Sequence, residues 1–178
     1  MNSVELRRLA MVVCAAAAAV LFAVLIVLTL EVAASGDSDP RVGDHWHAPY
    51  SVFVCGQRQP SIAEFPHSSG IHTHGDGIMH MHPRTPGGEG RGASVAQFFK
   101  NAGGWVDPAL TPEGCAIDYS HPIVLRGDSG IHPLGRGFAD ASAVCDGKPE
   151  REFEQVGAGY VPRDGDCIRI VFRPLPGE

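Results

Sequence analysis

The sequence has no basic patch. Its 14 Lys and Arg are outnumbered by 20 Asp and Glu, for a net charge of −6 with histidine neutral. No aromatic residues interleave with basic ones, so nucleic acid is excluded as a partner. No two cysteines have the close spacing of a zinc knuckle. No serine, histidine and aspartate, and no cysteine and histidine, have the spacing of a known nucleophilic constellation. There is no low-complexity tract beyond the alanines near the N-terminus.

One long hydrophobic run is present. Leu9 to Leu30 carries no charge, follows Arg7 and Arg8, and is closed by Glu31, with the next positive charge at Arg41. About 20 apolar residues suffice to cross a bilayer, and the flanking charges place the N-terminus inside. The expectation is a cell-membrane protein with a single-pass anchor, cytoplasmic at its N-terminus and extracytoplasmic at its C-terminal domain. The rival is a signal peptide cleaved near Val32-Ala33-Ala34, but the run exceeds the roughly 7–15 residues of a signal core. Residues 1–33 are then tail and anchor, 34–44 a small polar linker, and 45–174 an α+β domain rich in histidine.

Five cysteines occur, of which Cys14 lies inside the apolar run. Cys55, Cys115, Cys145 and Cys167 fall in the exported part, where disulfides persist. Four cysteines allow three pairings, and spacing alone leaves all three open.

Histidine carries the chemical signal. Six of the nine histidines fall between positions 45 and 82, as three His-x-His pairs: His45 and His47, His72 and His74, His80 and His82. Two-apart spacing is the strand period, so each pair leaves one face of its strand. Gly75-Asp76-Gly77 separates the second and third pairs and is turn chemistry. A three-residue loop sets His72 opposite His80 and gathers four imidazoles on one face. A two-residue loop would split the pairs, because a one-residue slip flips a strand's faces. The three-residue loop is favoured, since its last position wants a left-handed residue and Gly77 supplies one. Ile71, Thr73, Met79 and Met81 then form the core face.

Around the hairpin, Ala48 to Cys55 reads as a strand, with Pro49 at an edge or at the start of pairing. Ser94-Val95-Ala96-Gln97 has the form of a capping box, and Val95, Phe98, Phe99 and Ala102 have helical spacing, stopped at Gly103-Gly104. Trp105 and Val106 are expected to cap the core. Ile117 to Tyr119, Ile123 to Leu125, Val144 to Pro149 and Phe153 to Val156 read as short strands or turns. The chain closes on an alternating strand whose Ile168, Ile170 and Phe172 share the core face and whose Cys167, Arg169 and Val171 share the other. Strands, one short helix and more strands predict an α+β class with a mixed sheet.

Imidazole suits zinc and copper, and close neutral rings share a cation well. The candidate metal ligands are His72, His74, His80, His82, His45 and His47, with Asp44 and Asp76 as candidates to orient the rings. Six exceed the three or four that one tetrahedral ion needs, so a subset, two ions or a supporting role for some rings are all open. Thioether would favour copper, but alternation turns Met79 and Met81 away. His67, His121 and His132 are isolated, and the last two could complete a site from afar. The metal is expected to be copper or zinc, held by a carrier, sensor or chaperone. The alternatives are a metal-dependent hydrolase or oxygenase using the same rings, and a structural or adhesion module. His72-Thr73-His74-Gly75-Asp76-Gly77 lacks the final histidine of metallo-β-lactamase-like hydrolases, and no glutamate follows as a cupin requires.

With these motifs, DHWHA at 44–48, IHTHGDGIMHMHP at 71–83 and ASVAQFF at 93–99, the chain resembles an exported, membrane-anchored group of bacterial and archaeal proteins. That resemblance implies a membrane anchor and no particular activity. The closing YVPRDGDCIRIVF and the earlier VCDGKPE resemble the last strand and preceding hairpin of β-grasp modules, which implies a β-grasp-like mixed sheet.

Overall fold

The structure, a computed structural model, describes residues 2, 5, 11, 13–24, 39–106, 108–131 and 138–175. They belong to two compact units, Met1–Ser38 and Asp39–Glu178.

In the first unit, residues 13–24 are helical (α1). Among the described residues no helix is long and apolar enough to cross a membrane. The expected anchor over Leu9 to Leu30, and with it the single-pass membrane placement, is therefore corrected. The helical residues described there span about 18 Å, against a hydrocarbon core of about 30 Å. The remainder of the run, except Met11, lies outside the described residues, as do residues 34–38 of the expected linker.

The second unit takes in residues 39–44 as well, through a bond from the Gly43 amide to Pro83 O. It holds strands β1 (Trp46–Val54), β2 (Gln57–Arg58), β3 (Ile71–His72), β4 (Ile78–Met81), β5 (Ile123–Asp128), β6 (Glu154–Val156) and β7 (Asp166–Phe172), with helices α2 (Val95–Asn101) and α3 (Phe138–Gly147). The strands form one mixed sheet in the order β3-β4-β1-β7-β5-β6, with β2 on the far end of β1. The first and last long strands, β1 and β7, run parallel at its centre, and every other pairing is antiparallel.

Residues of one parity build the core. Tyr50 pairs with Ile168, Val52 with Ile170 and Val54 with Phe172. Ala48 sits beside Met79, and Ile71 beside Met81. All ten are buried in one cluster with Val95, Phe98 and Phe99 of α2. Ser94 caps α2 by accepting from the Gln97 amide, but Gln97 turns to Asn101, so only half of the expected capping box forms. Trp105 stacks on Phe99, with ring centroids 4.5 Å apart, and closes that side.

The opposite face is divided. Over β1 and β7 lies α3, tied to β7 by the Cys145–Cys167 disulfide. Arg169 donates to Cys145 O and Lys148 O at the end of α3, and its guanidinium packs over Phe53 and Phe153. A cation on C-terminal carbonyls satisfies orphan acceptors and complements the helix dipole. Val144 to Pro149 is thus mostly helix, not strand: the helix is held by residues more than 20 positions downstream. Ile117 to Tyr119 forms no strand. The second disulfide, Cys55–Cys115, anchors the 108–120 loop to the β1–β2 hairpin. With α1, the helices number three among the described residues, where one short packed helix beside an anchor was expected.

Pro49 is not at an edge but inside central strand β1. It is tolerated because pairing to β7 begins one residue later, at Tyr50, so no ladder bond is required of its missing N–H.

Candidate metal centre

The half of that divided face left bare by α3 is the histidine face. In the register β3-β4-β1, His72 pairs with His80 and His80 with His47. A row of three imidazoles therefore crosses three neighbouring strands, about 4.8 Å apart. Strand parity carries the other three rings to the same face: His74 one step beyond His72, His82 one step beyond His80, and His45 one step beyond His47.

Two features hold this register. Gly77 takes φ +78 and closes the Gly75-Asp76-Gly77 loop as expected of a left-handed residue. Gly70 takes φ +90, and a Cβ there would sit 1.9 Å from the His82 carbonyl oxygen. Only glycine lets the strand entrance pass this close, where the His82 amide donates to Gly70 O at 3.1 Å. On the other side, the His47 amide donates to Asp164 Oδ1 at 2.8 Å and the Gly165 amide to His47 O at 2.9 Å. The turn entering β7 thus fixes the backbone of the most buried ring.

The six rings separate into two trios, His45 with His47 and His82, and His72 with His74 and His80. Within each, one nitrogen per ring lies within 4.8 Å of the others, so each trio could hold a metal ion. Each contains one buried, one half-buried and one exposed ring. Either trio is therefore anchored inside and open to solvent. The trios abut, with ring centroids 4.9 Å apart for His47 and His80 and 5.3 Å for His72 and His82. Nε2 of His47 and Nε2 of His82 are 3.3 Å apart. That is about the edge of a tetrahedron with 2.05 Å metal–nitrogen bonds.

Partners fix two tautomers. His72 Nδ1 donates to Gly70 O at 3.1 Å and His80 Nε2 to Asp76 Oδ2 at 2.9 Å, since neither oxygen has a proton to give. Nε2 of His72 and Nδ1 of His80 then carry the lone pairs. Asp76 is itself held, its Oδ1 accepting from Thr73 Oγ1 and the Ile78 amide. A carboxylate bonded to a ligating imidazole orients the ring and raises its basicity.

The face favours neutral rings. Burial, then the charges of His80, His82 and His45, lower the pKa of His47 to about 3. Burial, then His45, His72, His80 and Arg84, lower His82 to about 4. Burial likewise lowers His72 and, against the pull of Asp76, His80. Burial pushes Asp76 up, but the His80 hydrogen bond and charge outweigh it and hold the carboxyl below its usual range. Neutral imidazole is the form that ligates a metal.

Of the residues singled out in the sequence, the structure brings together all six paired histidines and Asp76. Asp44 does not join them and accepts from the Arg41 amide. His121 is exposed beside Asp118, and His132 lies outside the described residues. Glu64 and Arg84 were missed, and His67 was set aside as isolated; with His72, Thr73 and His74 these three line a cleft of about 170 Å³ beside the second trio. All three are loop residues, and no periodicity marked them. A larger cleft of about 550 Å³, between the 59–65 and 102–110 loops, has among the described residues of its lining no histidine and Glu64 as the one ionisable group.

No protein-family model matches this chain, and neither a curated protein nor a solved structure shows significant similarity to it.

Proposed function

We propose that this protein binds a transition metal ion, copper or zinc, on the histidine face and serves as a carrier, sensor or chaperone for it. The observation that carries this reading is the convergence of the two trios: six rings on three strands, four of them (His47, His72, His80 and His82) shifted toward the neutral form by burial, with Asp76 orienting one of them. Two disulfides add that the chain works in an oxidising compartment. Thioether does not contribute, because Met79 and Met81 are buried on the opposite face. That leaves an all-nitrogen donor set, suited to zinc and to copper alike.

The 170 Å³ cleft at His72 and His74 supports a second reading, a metal-dependent enzyme in which three imidazoles leave one coordination position for substrate.

The test is elemental analysis of the full-length protein purified without an affinity tag, followed by titration with zinc and copper. Stoichiometric metal is the expected result, reduced in the His72→Ala, His80→Ala double variant by the share held on the second trio and lost when His47 and His82 are replaced as well. A folded wild-type chain that carries no metal and takes up none overturns both readings and leaves a structural histidine cluster.

A further inference from the structure

A metal on the second trio would have a cation for a neighbour. Arg84 follows directly after the His80–Pro83 segment, its amide bonded to Ser69 O at 2.9 Å. Its side chain lines the 170 Å³ cleft with His72 and His74. Among the described residues its guanidinium makes no ion pair. The carboxylate on the same cleft, Glu64, faces His74 at 3.9 Å.

The charges do not close. A dication on His72, His74 and His80 together with Arg84 brings three positive charges, against one each from Asp76 and Glu64. One positive charge is left over at the mouth of the cleft, where Arg84, His74 and Glu64 are exposed and His72 is half-buried. Three imidazoles also leave a tetrahedral ion one ligand short. A single monovalent anion answers both deficits. Arginine's planar fork matches a carboxylate-like pair of oxygens. The cleft is too small for a drug-sized molecule, whose pockets run about 300–1,000 Å³, but it admits an ion of a few atoms.

We propose that this cleft binds a small planar oxyanion, a carboxylate or bicarbonate, as the fourth ligand of the ion on the second trio, with one oxygen on the metal and the other on the Arg84 guanidinium. The proposal rests on the metal reading above. It makes metal and anion uptake mutually reinforcing, since coupling between two bound ligands is reciprocal.

The test uses the full-length protein and Co(II), whose visible spectrum reports coordination. Cobalt affinity is measured in a perchlorate buffer, alone, with sodium acetate, and with sodium bicarbonate. In the wild type the relevant anion should tighten cobalt binding about tenfold and shift its visible bands, and the two arms tell carboxylate from bicarbonate. In Arg84→Gln the anion effect should vanish, while anion-free affinity rises because a repelling charge is gone. Arg84→Lys should keep the charge and lose most of the anion effect. Cobalt uptake that neither anion alters overturns this proposal and leaves the metal reading standing. An undiminished anion effect in Arg84→Gln also overturns it. No cobalt uptake in any buffer overturns both.

Discussion

Acid should destabilise the metal-free protein through its buried rings, and the size of the effect follows from His47. In the folded chain its pKa is lowered to about 3, against 6.5 unperturbed. Between those values the unfolded chain holds a proton that the folded chain refuses. Stability therefore falls as pH falls through that window, and the contribution of His47 is fully present only above about pH 6.5. From about pH 7.5 to about pH 4.5 the loss from His47 alone is about 2.5 kcal/mol. His82, lowered to about 4, adds a loss of the same sign. Asp76 acts in the same direction at lower pH, because its depressed carboxyl must be protonated. The assay is urea denaturation of chelator-treated protein, followed by circular dichroism at several pH values, for wild type and His47→Gln. The variant should lose about 2.5 kcal/mol of the pH dependence, whatever its absolute stability. A wild type equally stable at both ends of the range, or a variant with the full slope, refutes the picture of rings buried in neutral form.

Gly70→Ala should cost more than about 2 kcal/mol, from the left-handed backbone together with the Cβ clash on the His82 carbonyl, and abolish metal uptake; denaturation midpoints and a zinc titration check both. Replacing Cys145 and Cys167 together by alanine opens a loop of sequence separation 22 and should cost about 3 kcal/mol in denaturant titration, while leaving the histidine pairings in place. Asp76→Asn keeps an oxygen for Thr73 and the Ile78 amide but removes the charge on His80, so metal affinity should fall about 10–100-fold with the fold intact, read by competition with a chromophoric chelator.

The histidine hairpin was legible because its determinants are local. Gly77 after Asp76 dictates the loop, the loop dictates that His72 meets His80, and period two does the rest. The same period put His45 and His47 on one face of their strand but did not say which strand they would meet. That depends on β1 pairing with β4 across more than 20 intervening residues, a choice made by burial of Ala48 against Met79 and not by local pattern. Helix α3 was hidden for a related reason. Val144 and Cys145 look strand-like in isolation, and what makes the segment helical is Arg169 and Cys167, far along the chain. The disulfide pairing is not set by local spacing: the fold brings Cys55 to Cys115 and Cys145 to Cys167, partners 60 and 22 positions apart. Arg84 and Glu64 gave no signal and His67 read as isolated, because loop residues carry no periodicity; the Gly70 turn and the Phe65–Thr73 bridge bring them to the rings. The expected anchor is not supported because, among the described residues, no helix is long and apolar enough to cross a membrane.

X-ray absorption at the zinc edge of the full-length protein loaded with zinc tests the metal centre most directly. The account predicts a shell of three or four nitrogen or oxygen atoms at about 2.0–2.1 Å, with the outer-shell scattering of imidazole and no sulfur. Zinc that washes out below one equivalent, or a shell of oxygen without the imidazole pattern, contradicts it.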